Sequence, residues 1–161
     1  MRYIAMSVVL LLSVAVSWAD DYIKDGRLTH TLKISQRQGG FAGFTGFDYT
    51  IEPDGTWEKT NAFNKKLTSA GKGKLSAKEL EMVADILKKN DLEKLPEKSG
   101  KVPGANPHTI TFEFGKAKAT IVGQTPPKLD KDNPGAVESR FAAIYQGVTG
   151  MIKAADKKDG E

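Results

Sequence analysis

The sequence contains no cysteine and only two histidines in 161 residues. No disulfide, thiol nucleophile or thiolate metal ligand is therefore possible. His30 and His108 form no HxH or HExxH pattern, and a metal site wants three or four ligands. His30 falls on the apolar face of an expected strand and His108 opens another, and neither has the oriented partner that a general base needs. Asp130 and Asp132 share a loop but lack the full ligand series of a calcium loop, so they read as solvated acids. GxSxG, phosphate-loop and dinucleotide-binding glycine patterns are also missing. These absences exclude the common enzyme classes, and no metal, cofactor or catalytic residue is expected.

Arginine is scarce too. The formal net charge is +4, but the arginines are only Arg2, Arg27, Arg37 and Arg140. Nucleic-acid recognition leans on arginine for bidentate phosphate and base contacts. Dispersed lysine reads instead as a solubility surface, and no nucleic-acid partner is expected. The one long apolar run, Ile4 to Val16, is too short for a membrane span of about 20 residues. It follows Arg2 and precedes Ser17-Trp18-Ala19, with acids at Asp20 and Asp21. That order matches a cleavable secretory signal over residues 1–19. The mature chain is expected to start at Asp20, to carry no membrane span, and to be periplasmic or extracellular.

What remains suits one α+β domain over 20–154, with residues 20–26 frayed and a disordered charged tail at 155–161. Leu28, His30, Leu32 and Ile34 alternate with polar residues and predict a strand. A second strand is expected over 44–52, then a Pro53-Asp54-Gly55 turn and a third strand around Trp57. Residues 62–75, rich in Lys, Gly and Ser, read as a mobile connection. Ser76 and Glu79 form a capping box at the head of a helix over 77–90. A loop over 97–107 precedes a hairpin in which Ile110, Phe112 and Phe114 face Ala117, Ala119 and Ile121. Val137, Phe141, Ile144, Val148 and Ile152 mark a C-terminal amphipathic helix. The expected fold is an antiparallel sheet of about five strands, a three-strand meander plus a hairpin, with two helices on one face.

One segment stands apart. Gly39-Gly40-Phe41-Ala42-Gly43-Phe44-Thr45-Gly46-Phe47 places four glycines and three phenylalanines in nine positions. Burial is the base case for phenylalanine, which predicts a bulged crossover with Phe41 folded back on the core. The alternative is a loop that offers Phe41 or Phe44 to a partner.

The run Leu32 to Gly43, ending in GGFAG, resembles the emfourins, small bacterial inhibitors of thermolysin-like metalloproteases. The similarity continues through Glu79 to Leu87, the Leu92 to Pro96 turn, His108 to Val122 and the helix after Pro134. The sequence departs from that family in its export signal, the Asp54-Gly55 turn, the Trp57 strand and the lysine-rich stretch after it. The resemblance implies a protein that binds a secreted metalloprotease; the chain is expected to be non-enzymatic, from its missing catalytic patterns, and a monomer. An interaction module without inhibitory activity is the alternative. Gly39, Gly40, Phe41, Ala42, Gly43 and Phe44 are the expected contact residues of the first reading, and Trp57 with neighbouring aromatics those of the second.

Overall fold

The computed structural model describes residues 22–41 and 43–158, so the signal segment 1–19 lies outside the described residues. The chain is α+β, with nine strands and two helices among the described residues. A small hairpin of β1 (Ile23–Lys24) and β2 (Arg27–Leu28) opens it. A meander follows, of β3 (Leu32–Gly40), β4 (Gly43–Ile51), β5 (Thr56–Phe63) and β6 (Lys66–Lys74). Then come α1 (Ala77–Lys89), a 3-10 turn at Leu92–Lys94, β7 (Ser99–Gly100), β8 (His108–Phe114), β9 (Ala117–Gly123) and α2 (Val137–Lys158). The larger sheet has seven strands in the order β6-β5-β4-β3-β8-β9-β7. This corrects the expected antiparallel sheet of about five strands: β6 and β7 add an edge at each side, and the sheet is mixed because β7 runs parallel to β9 while every other pairing is antiparallel.

The register explains the core. Leu32 lies between Ile51 and Phe114, and Ile34 lies between Tyr49 and Phe112. Side chains alternate across a strand, so these residues share one face. Leu80, Val83 and Leu87 of α1 and Phe141, Ile144, Val148 and Ile152 of α2 join them in one buried cluster. Phe141 stacks on Phe112 with ring centroids 5.4 Å apart. The capping box forms as its spacing predicts. Ser76 Oγ accepts the Glu79 N–H, and Glu79 accepts the Ser76 N–H at 2.8 Å. Burial pushes the Tyr145 hydroxyl up to about 12, and that hydroxyl donates to Gln36 Oε1. Burial, with the Glu93 charge beside it, does the same to Tyr22.

Five further expectations need correction. The first strand does not run from Arg27 through Ile34. The chain kinks at residues 29–31 after the β1–β2 hairpin, and exposed His30 lies edge-on to Phe114. Of the stretch expected to fray, the described residues 22–26 are held in place, because Tyr22 is buried against Phe114 and β1 pairs with β2. The 62–75 connection is instead the end of β5 and the whole of β6, a hairpin turned at Asn64-Lys65. The loop over 97–107 contributes β7, which docks at the β9 edge. The tail is ordered through Lys158, because Ala155 is buried in the last turns of α2.

Trp57 also departs from its expected role. It pairs with Ile51 on one side and Gly73 on the other, on the helix-covered face, and is only 1% exposed. A Cβ placed on Gly71 would lie 3.5 Å from its ring, in ordinary van der Waals contact. Gly71 and Gly73 of β6 present no side chain on the face that the indole occupies. Trp57 is a core residue and is removed from the candidate contacts.

Candidate functional site

The far ends of the two long hairpins lie together. Gly40 pairs with Gly43, so β3 and β4 close around residues 41 and 42, with no wide crossover between them. Phe41 caps this tip and is fully exposed, which corrects the expectation that it folds back on the core. Ala42 lies outside the described residues. Phe44 is more than half exposed, and Phe63 and Leu67 of the β5–β6 hairpin are exposed to a similar degree. By register, Phe63 shares a face with Thr45, and Leu67 shares the opposite face with Ala62. Apolar side chains thus emerge on both sides of the tips. Exposure of this kind forgoes about 1.5–3 kcal/mol of burial per large apolar side chain.

The tip is braced by its neighbours. The Phe44 N–H donates to Asn64 Oδ1 at 2.9 Å, and the Asn64 N–H donates to the Phe44 carbonyl at 2.6 Å. Asn64 sits at φ 52°, in the left-handed region that asparagine tolerates better than most residues. Gly43 has φ 103°, and a Cβ there would fall 1.8 Å from Asn64 Oδ1, so only glycine fits. On the other side the Gly39 N–H donates to the Pro107 carbonyl at 2.8 Å. Behind the tip, a Cβ on Gly46 would lie 1.9 Å from the Gln36 carbonyl oxygen. Glycine there lets β4 close tightly on β3. Arg37 then donates to Asp48 Oδ2 at 2.7 Å and to the Phe47 carbonyl at 3.0 Å. Burial alone would raise the Asp48 carboxyl, but the Arg37 guanidinium bonded to it, with Ser35 beside it, outweighs burial and holds its pKa below the ordinary value.

The structure brings Gly39, Gly40, Phe41, Gly43 and Phe44 into one tip and leaves Trp57 in the core. Sequence reasoning missed Asn64, Phe63 and Leu67. The available signal was two apolar residues flanking an asparagine that can turn a hairpin.

Away from the tip, a concavity of about 630 Å³ lies between β8, β9 and the 124–132 loop. His108, Gln124, Lys128, Asp130, Asp132 and Glu138 contribute to its lining. Asp130 already serves the loop, accepting the Asp132 and Asn133 N–H groups at 2.9 and 3.1 Å. Among the described residues His108 Nδ1 is buried without a hydrogen-bond partner. Among the described residues neither histidine has a carboxylate partner, and no group of three or more metal-ligating residues exists. No helix of the described residues is long and apolar enough to cross a membrane.

Comparison of the chain with protein-family models and with curated protein sequences finds no match.

Proposed function

We propose that this chain is an exported, non-enzymatic protein-binding domain whose hairpin tip inserts Phe41 and Phe44 into an apolar pocket of a partner, and that the partner is a thermolysin-like metalloprotease. One observation carries the reading: Phe41 stands fully exposed on a turn held from both sides by Asn64 and Pro107. A braced tip loses little conformational freedom on docking, so more of the anchor's burial appears as affinity. The GGFAG resemblance to emfourins, together with a thermolysin-like preference for a large apolar side chain, supplies the choice of partner. Export rests on the segment before Asp20. Intact-mass measurement of the secreted protein should place the first residue at Asp20, and a product that keeps Tyr3 to Trp18 would remove that part of the proposal.

Inhibition of a thermolysin-like protease is the direct test. Phe41→Ala should weaken it about thirtyfold, the equivalent of the roughly 2 kcal/mol that a buried aromatic anchor contributes. The melting temperature should barely change, since an exposed side chain leaves no cavity behind. Unchanged inhibition by stable Phe41→Ala and Phe44→Ala variants would exclude the tip as the contact.

A second reading, an interaction module without inhibitory activity, draws on Phe63 and Leu67. They extend the apolar surface onto the β5–β6 hairpin, which has no counterpart in the emfourin-like blocks. If the parent protein inhibits no thermolysin-like enzyme, this reading takes precedence.

A further inference from the structure

The two edges of the large sheet are guarded very differently. At one edge β7 has two residues, too short to template a further strand. At the other, β6 has nine residues, and among the described residues its outer backbone edge pairs with no strand. Seven of the nine are exposed, and only Gly71 and Gly73 are partly covered. A strand this long presents N–H and C=O groups along about 30 Å, interrupted once at Ala70, an extra residue that shifts the register against Lys59 and Thr60 of β5. Edges of that kind attract other chains unless something opposes pairing.

The irregularity at Ala70 opposes it in the middle of the strand, and lysine opposes it on either side. Lys65, Lys66, Lys72 and Lys74 lie along or beside the edge. Asp54 holds Lys74 at 3.4 Å, and Glu58 stands opposite Lys72 on β5. Lys65 and Lys66 form no ion pair among the described residues, so the unbalanced positive charge sits at the Asn64 end, beside the hairpin tips. Such a guard is selective. Antiparallel pairing of two copies about the middle of β6 would set Lys66 against Lys74, and parallel in-register pairing would set Lys66 beside Lys66. Like charges directly opposite are unfavourable in a sheet. An extended segment with carboxylates at the Lys65–Lys66 end meets the same backbone edge with its charge compensated.

We propose that the free edge of β6 accepts an extended acidic segment of another protein as an eighth strand, with Lys65 and Lys66 selecting for acidic side chains at one end. This mode takes its affinity from main-chain hydrogen bonds and its specificity from side chains at the edge. It is independent of the Phe41 contact.

The probe is a synthetic nine-residue peptide of alternating glutamate and valine, titrated into isotopically labelled protein. The expected result is saturable binding with amide shifts concentrated in residues 66–74. The same peptide with proline at alternate positions, which cannot donate to the ladder, should bind at least tenfold more weakly. Lys65→Glu/Lys66→Glu should lose at least tenfold in affinity for the acidic peptide and gain binding of a lysine–valine counterpart, a reversal that a misfolded variant could not produce. Phe41→Ala should bind the peptide like the parent. Equal binding of the proline-containing peptide would show charge attraction without strand addition and overturn the proposal. Shifts centred on Phe41 and Phe44 would also overturn it, as would no binding of the acidic peptide.

Discussion

Trp57→Ala should destabilise the protein by about 3–5 kcal/mol, the cost of deleting a fully buried aromatic side chain. The indole lies at the junction of Ile51, Gly73 and the helix-covered face, and only 1% of it is exposed. Its removal leaves a void that β6 cannot fill, because Gly71 and Gly73 supply no side chains there. Phe112→Ala and Phe141→Ala should fall in the same range, since their rings stack on each other at the centre of the core. Urea unfolding measures each cost, and an unchanged midpoint for Trp57→Ala would mean that the ring is not packed as described. Phe41→Ala provides the contrast, because it should change binding and leave the midpoint nearly unmoved.

Replacing Lys66–Lys74 with a flexible Gly/Ser linker should be nearly as damaging, on the order of 3–5 kcal/mol from lost ladder hydrogen bonds at about 1 kcal/mol each. A mobile connection would tolerate that exchange, because loop-closure entropy changes slowly with length. As a strand it does not. The exchange removes every β5–β6 hydrogen bond, uncovers one side of Trp57, and leaves β5 as a long unguarded edge. The expected readouts are a lower urea midpoint and concentration-dependent self-association by light scattering. A replacement that melts like the parent would return residues 66–74 to the status of a linker.

The misreading of that segment has a physical source. KLTSAGKGK has no apolar period because neither face of β6 carries a core side chain. One face is solvent, and the other is two glycines beneath an indole that belongs to β5. Strand patterns are visible when the strand's own residues fill the core, as Ile110, Phe112 and Phe114 do. When a neighbour fills it, the pattern disappears from the strand. The same logic explains Trp57. An isolated tryptophan after a turn is ambiguous until its cross-strand partners are known.

The site was legible in part. The glycine and phenylalanine run 39–47 marked the β3–β4 tip, but burial statistics pointed Phe41 inward. The structure turns it outward because β3 and β4 pair through to Gly40 and Gly43, leaving only two positions to turn. A turn that tight cannot bring its apex back onto a core beneath the other end of the strands. Phe63, Asn64 and Leu67 join the tip through a hairpin some twenty residues further along the chain, a distance over which single-sequence patterns carry no information.

By itself, then, the sequence determined what depends on neighbours a few residues away. The Ser76–Glu79 capping box and the helix after it, the β8–β9 hairpin and the amphipathic stripe of α2 all follow from contacts within one turn or one strand pair. Absence of cysteine and scarcity of histidine were equally plain. Only the tertiary structure decided the seven-strand order, the parallel β7, the burial of Trp57, the exposure of Phe41 and the bare edge of β6. Each of these depends on which distant strand lies alongside. Strand pairing is set by long-range burial and backbone hydrogen bonding, and that choice is not encoded in any local period.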